Sequence, residues 1–149
     1  MALVVGQTAP LFELSSTNGD KFNLSTLEEP IILYFYPKDF TPACTKEACS
    51  FRDNFKVFRE LDIKILGIST DSMVSHQKFK EAYDLPFHLL SDPTGHVSKL
   101  YKAHIPLLNI SKRVTYLLDK ERKIVAVYSD LMGAERHIKK MIESVTSVK

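Results

Sequence analysis

Apolar positions along the chain fall into short buried runs and helical stripes that together predict a mixed α/β structure. Leu11-Phe12-Glu13-Leu14 and Lys21-Phe22-Asn23-Leu24 alternate weakly on either side of Asn18-Gly19-Asp20, which predicts a small hairpin. The run Ile31-Ile32-Leu33-Tyr34-Phe35-Tyr36 is apolar on both faces, as expected of a central strand covered above and below, and it stops at Pro37. From residue 42 to about 60, Ala48, Phe51, Phe55 and Phe58 recur at spacings of three and four, the stripe of an amphipathic helix. Its start is marked by Thr41 as N-cap, Pro42 at the first helical position and Glu47 in the early turns. A second strand follows over 62–69, a helix around 73–83, an apolar segment over 85–90, a turn at Ser91-Asp92-Pro93-Thr94-Gly95 and a short helix to Tyr101. Residues 113–119 and 123–128, joined by Lys120-Glu121-Arg122, predict an antiparallel hairpin. A last helix over about 134–145 carries Ile138, Met141, Ile142 and Val145 on one stripe. This order predicts one α/β domain over residues 1–149, with a mixed central sheet and helices on both faces.

Composition narrows the class. The chain has 149 residues, 44% of them hydrophobic, enough to close a single core. The net charge of +2 hides an asymmetry: residues 1–95 carry 9 basic and 13 acidic side chains, residues 96–149 carry 11 and 5. The basic residues of the second part, mainly Lys120, Arg122, Lys123, Arg136, Lys139 and Lys140, alternate with acids and lack interleaved aromatics. They read as a solvated face, so no nucleic-acid partner is expected, and polyanion binding stands only as a minor alternative. No apolar run approaches the ~20 residues that span a bilayer, and residues 1–6 lack the basic flank of a secretory signal. The expected location is the cytoplasm, with no membrane association. Two cysteines are too few to staple a secreted scaffold, which points to a chemical purpose for them.

At 100° per residue, Ala48, Phe51, Phe55 and Phe58 lie within about 40° of Cys44, so its thiol faces the apolar side. Cys44 also sits in the first helical turn, where orphan amide groups and the positive end of the helix dipole favour a thiolate, the nucleophilic form. Cys49 is rotated about 140° away, toward Thr45, Arg52 and Lys56, and the two Cα atoms of an intact helix would be roughly 8.7 Å apart. That exceeds the ~7 Å reach of a disulfide, so joining them requires the first turns to unwind. Such a segment would be helical when reduced and locally unfolded when oxidised. The alternative is that both thiols are small core residues and Thr41 a plain cap. A metal site is not expected, because His76, His88, His96, His104 and His137 show no paired spacing, and the four residues between the cysteines exclude a C-x-x-C motif.

The segment Tyr36-Pro37-Lys38-Asp39-Phe40-Thr41-Pro42-Ala43-Cys44-Thr45-Lys46-Glu47-Ala48-Cys49 resembles the active-site segment of the peroxiredoxins, specifically the peroxiredoxin Q or bacterioferritin-comigratory-protein class. The likeness extends from Gly6-Gln7-Thr8-Ala9-Pro10 to Arg113-Val114-Thr115-Tyr116-Leu117-Leu118-Asp119. It implies a thioredoxin-like fold and a thiol peroxidase acting on hydrogen peroxide and organic hydroperoxides in antioxidant defence. By resemblance, Cys44 is the peroxidatic cysteine, Cys49 the resolving cysteine, and Thr41, Pro37 and Arg113 complete the peroxide pocket. Arg113 would supply a permanent cation and several donors, with Glu47 and Arg52 expected around it. No metal, haem, flavin or other cofactor is implied. The implied partners are a hydroperoxide substrate and a thioredoxin-like or glutaredoxin-like reductant, with the chain a monomer or weak homodimer. Ala43 and Arg122 stand where the family usually has glycine, and Cys49 is the only intrachain resolving candidate. Two competing functions are a one-cysteine peroxidase with Cys49 a bystander, and a redox sensor whose oxidation exposes Phe51 and Phe55 to a partner.

Overall fold

The fold is described from a computed structural model, over residues 2–129 and 138–143. Its frame is a seven-stranded mixed sheet. In chain order the elements are β1 (Glu13–Ser16), β2 (Lys21–Asn23), β3 (Ile31–Phe35), α1 (Pro42–Asp53), α2 (Phe55–Glu60), β4 (Lys64–Ser69), α3 (Met73–Ala82), β5 (His88–Ser91), α4 (His96–Leu100), β6 (His104–Ile105), β7 (Ile110–Ser111), β8 (Val114–Leu118) and β9 (Ile124–Tyr128). The sheet runs β2-β1-β5-β4-β3-β8-β9, with β3, β4 and β5 mutually parallel and the remaining neighbours antiparallel. β6 and β7 form a separate two-stranded ribbon.

β3 is apolar at every position because both its faces are covered. Ile31, Leu33 and Phe35 pack in one layer with Ile68, Tyr116 and Leu118, beneath Val97 and Tyr101 at α4. Ile32, Tyr34 and Tyr36 turn the other way, into a layer with Phe51 and Ala48 of α1, Phe58 of α2, Phe79 of α3, and Ile138 and Met141 of the helical residues 138–143. Helices therefore lie on both faces, as the hydrophobic pattern predicts. Cys44 belongs to the second layer. Gly67 is opposite Tyr34 in the β3/β4 pairing, and a Cβ there would come within 2.7 Å of the Tyr34 phenol, so this close approach requires glycine.

Two expectations need adjustment. The first hairpin pairs residues 13–15 with 21–23 rather than starting at Leu11. The predicted helix over 42–60 is two helices broken at Asn54, whose side-chain amide donates to the Ser50 carbonyl at 2.8 Å and competes with the backbone for it. The β6/β7 ribbon was not foreseen, because two-residue strands carry no readable period. Of the predicted C-terminal helix, residues 138–143 are helical, while 134–137 and 144–145, including Val145, lie outside the described residues.

Candidate active site

The site is built where β3 ends. Pro37 cannot extend the strand, and the chain turns through Phe40, held at φ 67°, before Pro42 starts α1. Thr41 occupies the N-cap position with extended backbone, and its carbonyl accepts from the Thr45 amide at 2.8 Å. Its hydroxyl does not cap the helix as expected; it donates to the Lys38 carbonyl at 3.1 Å. The amides of the first turn, which includes Cys44, are thus left free of a side-chain cap beside the sulfur.

Cys44 is 1% exposed. Arg113, directly before β8, reaches it across the sheet: Nη2 lies 3.2 Å from Cys44 Sγ while Nη1 bonds Glu47 Oε1 at 2.5 Å. Cys44 and Glu47 are one helical turn apart on α1, so a single guanidinium fork spans both. A permanent cation with a donor aimed at sulfur stabilises negative charge there. Arg113 is 7% exposed and Glu47 1%, so solvent screens this triad weakly. Burial pushes the Glu47 carboxyl up to about 7, against the opposing pull of Arg113. Burial works against the Arg113 charge in turn, but Glu47 and the Cys44 sulfur outweigh it and raise the guanidinium further. The carboxyl and the sulfur thus compete for one positive charge.

Both cysteines are free thiols, Cys44 buried and Cys49 half-buried, and both sit within α1. Pro37 is half-buried. Arg52, expected to help surround Arg113, is elsewhere: its Nη1 donates to the Tyr83 carbonyl at 2.8 Å and its Nε to Asp53 at 3.0 Å. The helix phase explains the correction, since Arg52 falls on the side of Cys49 rather than that of Cys44. Sequence reasoning also missed a buried polar cluster of Tyr36, Asp39 and His76 behind the loop. His76 precedes the buried Phe79 by three residues on α3, and that shared stripe was the available signal. A cleft of about 360 Å³ lined by Phe22, Phe55, Arg59, Ile65 and Phe87 lies apart from this site and contains neither cysteine.

Comparison with known proteins identifies the family. Residues 5–127 match the AhpC/TSA family. The chain is 42% identical to peroxiredoxin Bcp of Bacillus subtilis over 132 residues, 84% of each chain. It is 39% identical to the chloroplastic peroxiredoxin Q of Sedum lineare over 146 residues, 97% of this chain and 78% of that one. Among solved structures, peroxidoxin BcpB of Mycobacterium tuberculosis superposes with a TM-score of 0.91 at 36% identity, covering 97% of both chains.

Proposed function

The chain belongs to the AhpC/TSA family, as a peroxiredoxin of the Bcp and Q type and so a thiol peroxidase, and on that premise we propose that Cys44 is its peroxide-reactive nucleophile and Cys49 its resolving partner. The observation that carries this reading is the contact between Arg113 Nη2 and Cys44 Sγ, 3.2 Å long and buried at the first turn of α1. The Cys44 thiolate attacks one oxygen of the hydroperoxide, the O–O bond breaks, and sulfur becomes a sulfenic acid. The departing hydroxide or alkoxide takes a proton and leaves as water or alcohol. Negative charge grows on that oxygen in the transition state, where Arg113 and the first-turn amides are the available donors, joined by the Thr41 hydroxyl once it turns from the Lys38 carbonyl. Pro37 and Pro42 restrict the loop that carries Thr41.

The Cys49 thiolate then attacks the sulfenic sulfur and expels hydroxide, forming an intrachain disulfide. In the intact helix the two Cα atoms are roughly 8.7 Å apart, so this step unwinds the start of α1. An external dithiol of the thioredoxin or glutaredoxin type reduces the disulfide. Free thiols recycled in this way suit a reducing compartment such as the cytoplasm.

Peroxide consumption driven by thioredoxin and its reductase tests the assignment. Wild type turns over, Cys44→Ser is inactive, and Cys49→Ser falls to a few per cent of wild type. Undiminished turnover by Cys49→Ser would instead make this a one-cysteine peroxidase.

A further inference from the structure

Behind the loop that carries Thr41, the side chain of Asp39 is buried and fully engaged. Its Oδ1 accepts from the Tyr36 hydroxyl at 2.6 Å, and its Oδ2 faces the Ser75 hydroxyl at 2.8 Å and His76 Nδ1 at 2.8 Å. The other ring nitrogen of His76, Nε2, lies 2.9 Å from the Leu90 carbonyl, which can only accept. Nε2 therefore carries a proton. Burial, followed by its neighbours Tyr34 and Asp39, keeps the Tyr36 phenol protonated, so Tyr36 is a donor. Asp39 thus meets two hydroxyls and the His76 ring at once, so both its oxygens are engaged. His76 and Asp39 thus face each other directly, with neither side chain more than 1% exposed.

The same loop is tethered twice more. The Asp39 amide donates to Asp71 Oδ2 at 2.8 Å, and Ser69 holds that oxygen at 2.6 Å. The Phe40 ring stands edge-on to Phe79 of α3 at 5.1 Å. Asp39 Oδ2, Asp71 Oδ2 and His76 Nδ1, three atoms of this cluster that could serve a cation, are already in hydrogen bonds with one another or with the loop and its neighbours. The tethers converge just before Phe40, the positive-φ turn that delivers Thr41, and the Thr41 hydroxyl itself bonds back to the Lys38 carbonyl.

We propose that the buried pair of Asp39 and His76 clamps residues 36–41 onto α3 and so sets the Thr41 hydroxyl relative to Cys44, which makes Asp39 and His76 positioning residues for peroxide reduction. The proposal rests on the peroxidase reading of Cys44. It assigns the two residues no contact with peroxide; they act through Thr41. The tethers lie upstream of Thr41, so the helix start can open while residues 36–40 stay docked.

The test measures the second-order rate constant for oxidation of Cys44 by hydrogen peroxide in wild type, Asp39→Asn, His76→Gln, Thr41→Val and the Asp39→Asn/Thr41→Val double variant. Folding is checked by circular dichroism, and Cys44 is alkylated in parallel with iodoacetamide, which has no use for the Thr41 hydroxyl. Expected are losses of about 10-fold or more towards peroxide in Asp39→Asn and His76→Gln, alkylation within about 3-fold of wild type, and a double variant no slower than Thr41→Val alone. Additive losses, or a folded Asp39→Asn that oxidises within 2-fold of wild type, overturn the clamp. Should the pair variants fail to fold, Ser75→Ala removes one donor and keeps the pair; it should slow oxidation by about 2- to 5-fold, and an unchanged rate overturns the proposal. A wild type no faster than a free thiol removes the peroxidase reading and the clamp with it, whereas a fast wild type with unaffected variants removes only the clamp.

Discussion

Replacing Arg113 with Met strips one guanidinium from two buried partners, and the consequences separate by pH. In the wild type burial pushes the Glu47 carboxyl from 4.5 up to about 7, with Arg113 pulling it down. A raised carboxyl means that the folded protein retains a proton which the unfolded chain releases. Its stability is therefore fully present below pH 4.5, falls as pH rises, and levels off once the folded carboxyl ionises near 7. The fall amounts to about 3 kcal/mol at most, at about 1.4 kcal/mol per unit. Without Arg113 the opposing pull is gone, so the folded carboxyl ionises at still higher pH and stability keeps falling beyond the point where the wild type levels off. Urea unfolding at pH 5.5, 7.0 and 8.5 should show the stability gap between wild type and Arg113→Met widening by up to about 2 kcal/mol over the last interval. Adding Glu47→Gln to Arg113→Met should abolish the widening. The same variant should oxidise with peroxide about 10²- to 10³-fold more slowly, the usual loss for one transition-state donor. A stability gap independent of pH would refute the assignment of Glu47 as a buried carboxyl held by Arg113.

Gly67→Ala would place a Cβ 2.7 Å from the Tyr34 phenol and 2.9 Å from Leu89, and should cost about 1–3 kcal/mol in urea unfolding. Arg122 turns the hairpin between β8 and β9 at φ 68°, so Arg122→Gly should stabilise by up to about 1 kcal/mol, read as a higher unfolding midpoint with an unchanged denaturant slope. Hydrogen exchange should find the amides of residues 45–49 protected in the reduced protein and exchanging at least 10-fold faster in the disulfide form, with β3 and β4 unchanged; equal protection in both forms would contradict unwinding.

Much of this arrangement is legible in the chain because it rests on local periodicity. The doubly apolar run of β3 and the stripe of Ala48, Phe51 and Phe58 specify a central strand and the helix covering it, and that stripe turns Cys44 inward. The break at Asn54 escaped the pattern because one side-chain amide, bonded to the Ser50 carbonyl, decides it. Arg113 is a different case. An arginine before a strand reads as a surface residue, and only the pairing of β3 with β8 brings it to α1. Arg52 shows the converse: it was expected around Arg113, and its helix phase sends it to the Tyr83 carbonyl. Asp39 and His76 are 37 residues apart, and no period links them.

The most direct test of the account mixes reduced wild type and Cys44→Ser with one equivalent of hydrogen peroxide in a stopped-flow instrument, then weighs the thiol-trapped products. The account predicts rapid loss of both free thiols and of two mass units in the wild type, and no comparable reaction in Cys44→Ser. Equal, slow oxidation of the two proteins would contradict it and leave the buried cysteine beside Arg113 without a peroxidase role.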